Sequence, residues 1–537
     1  MGVQSIWAKM RLKDFTKRHV VLLLLLILAS SFVTRFWDIS SVGLVYWDSG
    51  EYVREAAWFI GEGGRPMPWK PFGYPLLVSM GFLLFGVQDF VAIGVSAFMG
   101  VLTVLMVFLM ARKLFNERIA LLASALLSVM EYHIIYSRIA ITDASFTFFL
   151  TLSLYLFLIA LEKNKVKYFA LFGLLAGITM DIRFIGFLSF GVPAAYLTVK
   201  YARSHLKKKL DVKFLKRHIK LMSLAFAILL LVHSVWFFAL GVGTLMSEDR
   251  SKTFQIAELS PGSLLANTPK IFQLGIEKYI ELNIGRNSKA IQTTIKNSEE
   301  NKSRHSPESN LIALIVWISP VILLLVLLSF YKIPRDDNHL FLYMWFLILL
   351  ILCFTVIAGR VHVGLMFLPP LSIVAARGLT MLKDERLFSL VLGLALVSSL
   401  WMAYDNITEP HNGARKTVEF LMENVRSGEF VYEAIGPYIN FYNEDSNFWW
   451  DHRNPPNESI RYIVLDYRLY KLYSLDYELL QSEKEPVAVF SNPNPNAETM
   501  DWIRREIADY DKLKIYKITP EDAKRYFYNY KGRLDHD

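Results

Sequence analysis

Apolar residues in this 537-residue chain gather into runs of about 20, with short charged segments between them. A bilayer core takes about 20 apolar residues per helix, so the pattern predicts an α-helical polytopic membrane protein. Eleven spans are read: 19–37, 89–111, 117–136, 143–161, 167–182, 184–200, 220–242, 311–331, 339–358, 363–381 and 386–404. The sixth is short and carries Pro193. A further apolar segment, 72–87 ("FGYPLLVSMGFLLFGV"), is expected to lie along the surface or dip into it.

After residue 404 the pattern changes. Residues 415–426 suit a helix, and β-rich runs follow at 429–434, 461–466, 486–491 and 513–518. This alternation predicts a small α/β domain. The chain thus divides into a transmembrane part, 1–404, and a carboxyl-terminal domain, 405–537. The first part includes a first outer loop, 38–88, and a long outer loop, 243–310. Within the long loop, 270–284 fits an interfacial helix or a solvated loop equally well. No internal repeat and no nucleotide-binding glycine loop is visible.

Composition adds little to this: 53% of residues are hydrophobic and 20% charged. The single cysteine, Cys353, excludes a disulfide framework within the chain. The placement of charge is more informative than its total of +9. Loop 200–220 carries a dense set of Lys and Arg, Lys207 to Lys209 among them, against the lone acid Asp211. The positive-inside rule assigns it to the cytoplasm with the amino terminus and loops 112–118, 162–167, 331–339 and 382–386. Nucleic acid is then not needed to explain the charge. The basic start and first apolar run have the order of a signal peptide, but the run is long and more spans follow, so an uncleaved helix is expected. The sequons at Asn301, Asn406 and Asn457 all fall outside. An integral, multi-pass cell-membrane protein with an extracytoplasmic carboxyl-terminal domain is expected.

This topology gathers ionisable residues from four segments at the outer face. "LVYWDSGEYVREA" (44–56) brings Asp48, Glu51, Arg54 and Glu55, together with Tyr52. "YSRIAITD" brings Arg138 and Asp143, "MDIRFIG" brings Asp181 and Arg183, and "AGRVHV" brings Arg360 and His362. Charges this close to lipid are usually paired or functional; any one arginine alone would read as snorkelling. Together they suit a lipid phosphate, because the guanidinium fork binds phosphate oxygens in pairs. Asp48 is the candidate general base. A phosphate leaving group departs as a stable anion and needs positive charge rather than a general acid. On a helix, Asp48, Glu51 and Glu55 share a face. Glu51 would assist Asp48 or raise its pKa as a like charge, and Glu55 is expected to be a solvated bystander. Asp143 and Tyr52 would shape the site or meet the acceptor.

In these residues the chain resembles the C-type-fold glycosyltransferases that use lipid-phosphate sugars, above all the protein O-mannosyltransferases and aminoarabinose transferases. The matching stretches are "YWDSGEYVREA", "PFGYPLLVSMGFLLFG", "ARKLFNERIALLASALLSVMEYHIIYSRIAITDASFTFFLTLSLYLF", "FGLLAGITMDIRFIGFL" and "GRVHVGLMFLPPLSIVAARGL". They cover roughly 44–190 and 358–380. The resemblance implies a polyprenyl- or dolichyl-phosphate donor carrying one sugar, mannose-like or a pentose, and an acceptor bound from outside. It also implies inversion at the anomeric carbon and no nucleotide sugar; no cofactor or metal is expected. The family's first-loop base falls on Asp48 and its following acid on Asp143. Its cationic positions fall on Arg138, Arg183, Arg360 and His362. Where the family often has Asp-Glu, this chain has Asp48-Ser49, which bears on the acceptor class; Glu51 is the candidate replacement.

Two other readings compete. Trp449, Trp450 and Asp451 in "NFWWDHRNPP" are similar to the acceptor-reading motif of oligosaccharyltransferases, but His452-Arg453 follows where that family has Tyr-Gly. Two aromatics packing the small domain explain them more simply. A transporter or flippase would place charges at mid-membrane in repeated halves, and here they sit at one face. The expected function is transfer of a monosaccharide from a polyprenyl-phosphate carrier to a hydroxyl of a protein, lipid or glycan at the outer membrane face.

Overall fold

The computed structural model describes residues 17–45, 47–62, 70–248, 318–331, 334, 336–355, 361–408, 412–425, 430–433, 460–466, 477–491, 512–519 and 522. Arg360, the segment 270–284, Asn301, Asn457 and the Trp449–Asp451 motif lie outside these residues.

Helices α1 (Lys17–Phe36), α2 (Trp47–Phe59) and α3 (Gly73–Phe85) come first. Then follow α4 (Asp89–Leu114), α5 (Glu117–Val129), α6 (Glu131–Ser137), α7 (Thr142–Lys163), α8 (Val166–Ile182), α9 (Leu188–Leu206) and α10 (Val212–Glu248). After the undescribed stretch come α11 (Pro320–Phe330), α12 (Asp337–Thr355), α13 (Leu368–Leu379) and α14 (Glu385–Thr408). Short 3-10 turns at Phe184–Phe187 and Val361–Phe367 lead into α9 and α13. Local chemistry sets several boundaries. The Asn116 side chain accepts from the Ile119 N–H (3.0 Å) to open α5. Asn164 closes α7 in the left-handed region (φ 47°).

Every predicted span is helical where described, but length separates them. Among the described residues, six helices are long and apolar enough to cross a membrane: α1, α4, α7, the Phe184–Leu206 segment, α10 and α14. The α5–α6 pair, bent by 61°, makes a seventh. Helix α8 has 17 residues, the predicted spans 311–331 and 339–358 are described only in part, and α13 begins only after a 3-10 turn. Helix α3 has 13 residues, about 20 Å at 1.5 Å per residue, short of a hydrocarbon core of about 30 Å. Its tip, Leu83 to Phe85, is exposed.

Helix α8 packs between α7 and α10, and α4 packs on α5 and α7. Gly173 and Gly177, one turn apart on α8, admit α10 closely. A Cβ on Gly173 would lie 2.8 Å from the Ala225 Cα, and one on Gly177 would lie 2.6 Å from the Val232 Cβ. Small residues at this spacing are how membrane helices approach each other. The two ends of the bundle are chemically distinct. At one end, segments assigned to the cytoplasm touch one another: Lys113 pairs with Glu162, Lys200 with Asp337 (2.7 Å), and Arg217 donates to the Asn164 carbonyl (2.9 Å). The candidate site lies at the other end.

Beyond α14, α15 (Gly413–Asn424) and α16 (Tyr477–Glu483) accompany β1 (Phe430–Glu433), β2 (Ile460–Asp466), β3 (Ala488–Ser491) and β4 (Lys512–Lys517). All four β-rich runs are strands. They form a mixed sheet ordered β1-β2-β4-β3, parallel at β1–β2 and antiparallel elsewhere. Val418 and Leu421 of α15 are buried, and α15 packs on β3 and β4. Arg415 of the same helix pairs with Asp89 at the start of α4 (Nε to Oδ2, 3.1 Å) and donates to the Ser40 carbonyl (2.9 Å). This contact ties the sheet to the helical bundle.

Candidate active site at one end of the bundle

Helix α2 puts Asp48, Glu51, Tyr52 and Glu55 on one face, as residues three and four apart must lie. Lys70 reaches across that face from the segment preceding α3. Its Nζ lies 2.8 Å from Asp48 Oδ1, pairs with Glu51, and sits 4.6 Å above the centroid of the Tyr52 ring. Asp48 keeps its side chain 54% exposed, whereas Lys70 is 17% exposed. Burial works against the Lys70 charge, but Asp48 and Glu51 together hold its ammonium above the ordinary lysine value.

A second ion pair stands beside the first. Arg183, after α8, pairs with Asp143 in the first turn of α7. Gly73, three residues after Lys70, packs against the Asp181 carbonyl two residues before Arg183, and the Tyr52 hydroxyl feels the charges of both pairs. Burial dominates there and pushes the Tyr52 phenol up to about 12, leaving it a proton donor at neutral pH. Tyr74 of α3 meets the Tyr52 ring edge-on at 5.4 Å and hydrogen-bonds Ser96 at 2.9 Å, fixing α3 against α2 and α4.

Glu55 departs from expectation. It is buried at 4% exposure rather than solvated, because α2 turns this face inward beneath Lys70. Burial, reinforced by Glu51 and opposed by Lys70, pushes its carboxyl up to about 8. Its Oε2 has no hydrogen-bond partner among the described residues. Ser49, where the family pattern often has a second acid, is fully buried. The second acid on Lys70 is Glu51.

Arg138 stands apart from the cluster. Its Nη1 donates to the Trp37 carbonyl (2.7 Å) and the Arg35 carbonyl (3.2 Å), and its Nη2 to the Ile407 carbonyl (3.3 Å). It caps the end of α1 and fastens α14 there with Nη1 and Nη2, while its buried Nε has no hydrogen-bond partner among the described residues. His362 lies in the Val361–Phe367 turn, which packs on α7 and α6; its side chain is outside the described set, as is Arg360. Among the described residues, no group of three His, Cys, Asp or Glu side chains is arranged to hold a metal ion.

Several residues here escaped the hydrophobic pattern. Lys70 is the only Lys or Arg between Arg65 and Arg112, an isolated cation beside an apolar helix, and that isolation was the available signal. His233, a histidine inside an apolar span, carried a similar one. It meets Asp181 (Nδ1 to Oδ1, 2.6 Å) at the carboxyl end of α8.

The sequence profile of the dolichyl-phosphate-mannose-protein mannosyltransferase family matches residues 69–236. This segment runs from the residue before Lys70 to Trp236. No curated protein sequence matches the chain. Among solved structures, the chain is similar to ArnT from Cupriavidus metallidurans bound to undecaprenyl phosphate. The identity is 13% and the TM-score 0.55, with 94% of this chain and 98% of that one covered. It is also similar to the oligosaccharyltransferase AglB from Archaeoglobus fulgidus, in complex with an inhibitory peptide and a dolichol-phosphate. There the identity is 14% and the TM-score 0.54, over 83% of this chain and 69% of that one. By the matched segment the chain is similar to that mannosyltransferase family, and by fold to these two membrane proteins.

Proposed function

We propose that the protein moves a monosaccharide from a polyprenyl-phosphate carrier to an acceptor hydroxyl, inverting the anomeric centre. The site faces the outside of the cell membrane, with the carboxyl-terminal sheet on the same side. The acceptor is a protein, lipid or glycan, and the sugar a mannose-like hexose or a pentose. One observation carries this reading: an accessible carboxylate, Asp48, shares a lysine with Glu51 beside a second, arginine-based pair.

The chemistry follows from those positions. The donor phosphate competes with Asp48 for Lys70, and with Asp143 for Arg183. Asp48, relieved of its cation, accepts the proton of the acceptor hydroxyl. The hydroxyl oxygen attacks the anomeric carbon from the side opposite the phosphate. The bond from that carbon to the phosphate oxygen breaks, and its electron pair leaves with the lipid phosphate. Lys70 and Arg183 balance the departing charge, joined by Arg360 and His362 on the family resemblance. Glu51 holds Lys70 near the site when the donor is absent. The bound lipid phosphates named for ArnT and AglB favour the same donor class here.

The test is Asp48→Asn in purified protein, with undecaprenyl- or dolichyl-phosphate sugars as donors. Transfer is expected to fall by at least about a hundredfold, the low end for loss of a general base, while binding of the lipid phosphate persists. Retention of full transfer would sink the assignment of Asp48.

A further inference from the structure

Lys70 follows residues 63–69, which lie outside the described set, so its position is understood from what holds it on the other side. Two anchors do so. Trp236 of α10 donates its indole N–H to the Lys70 carbonyl (2.9 Å). Three residues later, Gly73 lies against the end of α8; a Cβ there would lie 2.8 Å from the carbonyl carbon and oxygen of Asp181. Trp236 is itself seated in a block. It stacks on His233 (centroids 5.7 Å, planes 16° apart), and the Phe184 ring meets it edge-on at 4.9 Å. The Asp181 carboxylate fixes His233 (2.6 Å). Trp236 and His233 are both 1% exposed.

This block has two outputs. Asp181 and Phe184 flank Arg183, so the turn that seats Trp236 also carries the cation paired with Asp143. Lys70 and Arg183 come from segments more than 100 residues apart in the chain, yet they are held by the same few side chains. We propose that Trp236, seated by His233 and Asp181, is a positioning residue that sets Lys70 and Arg183 at a fixed separation for the donor phosphate. This rests on the donor assignment above and extends it to residues that touch neither donor nor acceptor. A phosphate gripped by two cations at once depends on their spacing, so loosening one anchor weakens the grip without removing a charge.

The experiment is a double-mutant cycle on full-length protein in detergent. Trp236→Phe keeps an aromatic ring against Phe184 and removes the N–H; Lys70→Ala removes the ammonium. Trp236→Phe is expected to raise the donor KM by about tenfold, the scale of one net hydrogen bond in a desolvated setting, and to leave the acceptor KM unchanged. In the Lys70→Ala background the same substitution is expected to cost clearly less, because the main-chain bond then positions no ammonium and only the Arg183 arm remains. His233→Phe, which keeps a ring but loses the Asp181 bond, is expected to behave like Trp236→Phe. Equal losses in both backgrounds, or a change in acceptor KM as large as that in donor KM, would overturn the proposal. Thermal melting of each variant and binding of undecaprenyl phosphate alone are measured in parallel. If Trp236→Phe does not fold, His233→Phe carries the cycle. Wild-type protein that binds no lipid phosphate and transfers no sugar defeats the donor assignment itself, an outcome distinct from additivity in the cycle.

Discussion

Glu55 is an acid that burial holds largely protonated near neutrality, and this makes folding depend on pH in a definite direction. Its folded pKa is raised, so the folded state binds the proton more tightly than the unfolded chain. The stabilisation is complete below the ordinary value of 4.5, declines as pH rises, and is gone above about 8. Glu55→Gln is neutral at every pH and removes that dependence. At pH 9 the variant is expected to melt higher than wild type, by a free energy on the order of a few kcal/mol; at pH 5 the two should melt together. Melting curves in one detergent across this range check it, and a variant less stable at pH 9 would contradict the burial account. The helical spacing of Asp48, Glu51 and Glu55 was legible in the sequence, but not which way the face turns. That is decided by Lys70, brought in from outside α2. The surroundings of Arg138 were hidden for a related reason: its four main-chain partners lie on α1, the turn after it and α14, far from it in the chain.

Elements were read more reliably than residues, because hydrophobic periodicity reports local structure directly. Every predicted span is helical where described, and the four β-rich runs are strands. Chain breaks inside apolar runs were not legible: the bend at Met130 and the turn at Phe184–Phe187 are set by packing rather than composition. The approach of α8 to α10 belongs to this scale. Gly177→Leu would drive a side chain into Val232, at a cost of about 1–3 kcal/mol for overpacking. Because α10 carries His233 and Trp236, the same change should raise the donor KM as well as lower the melting temperature. Gly177→Ala should show both effects more weakly. A Leu variant with wild-type melting behaviour would mean that the helices do not meet at this point.

For the whole molecule, the informative joint is the one between bundle and sheet. Arg415 bonds to a buried carboxylate, Asp89, and to a loop carbonyl. Arg415→Ala leaves the Asp89 charge without this cation, at about 1.5–3 kcal/mol for bonds to a charged group. Residues beyond 412 should then be cut faster by protease while the helices stay protected. Unchanged cleavage would show that other contacts secure the sheet. The positive-inside assignment makes a companion prediction: a cysteine at Lys208 is labelled only from the cytoplasmic side, and one at Lys484 only from outside, in a Cys353→Ser background.

The fastening of α1 has a consequence for how the chain is made. Arg35 is fully buried, and outside its own helix it bonds to the Ser128 carbonyl (3.0 Å) and to His133 (2.6 Å), partners synthesised more than 90 residues later. The cap that Arg138 gives the end of α1 arrives later still. Until those partners are made, the guanidinium of α1 is bonded only within its own helix, to the Ser31 carbonyl (3.1 Å) and hydroxyl (2.8 Å), and hydrocarbon solvates such a group poorly. The helix is therefore expected to reach its final packing only after α6, which follows it by about 100 residues in the chain.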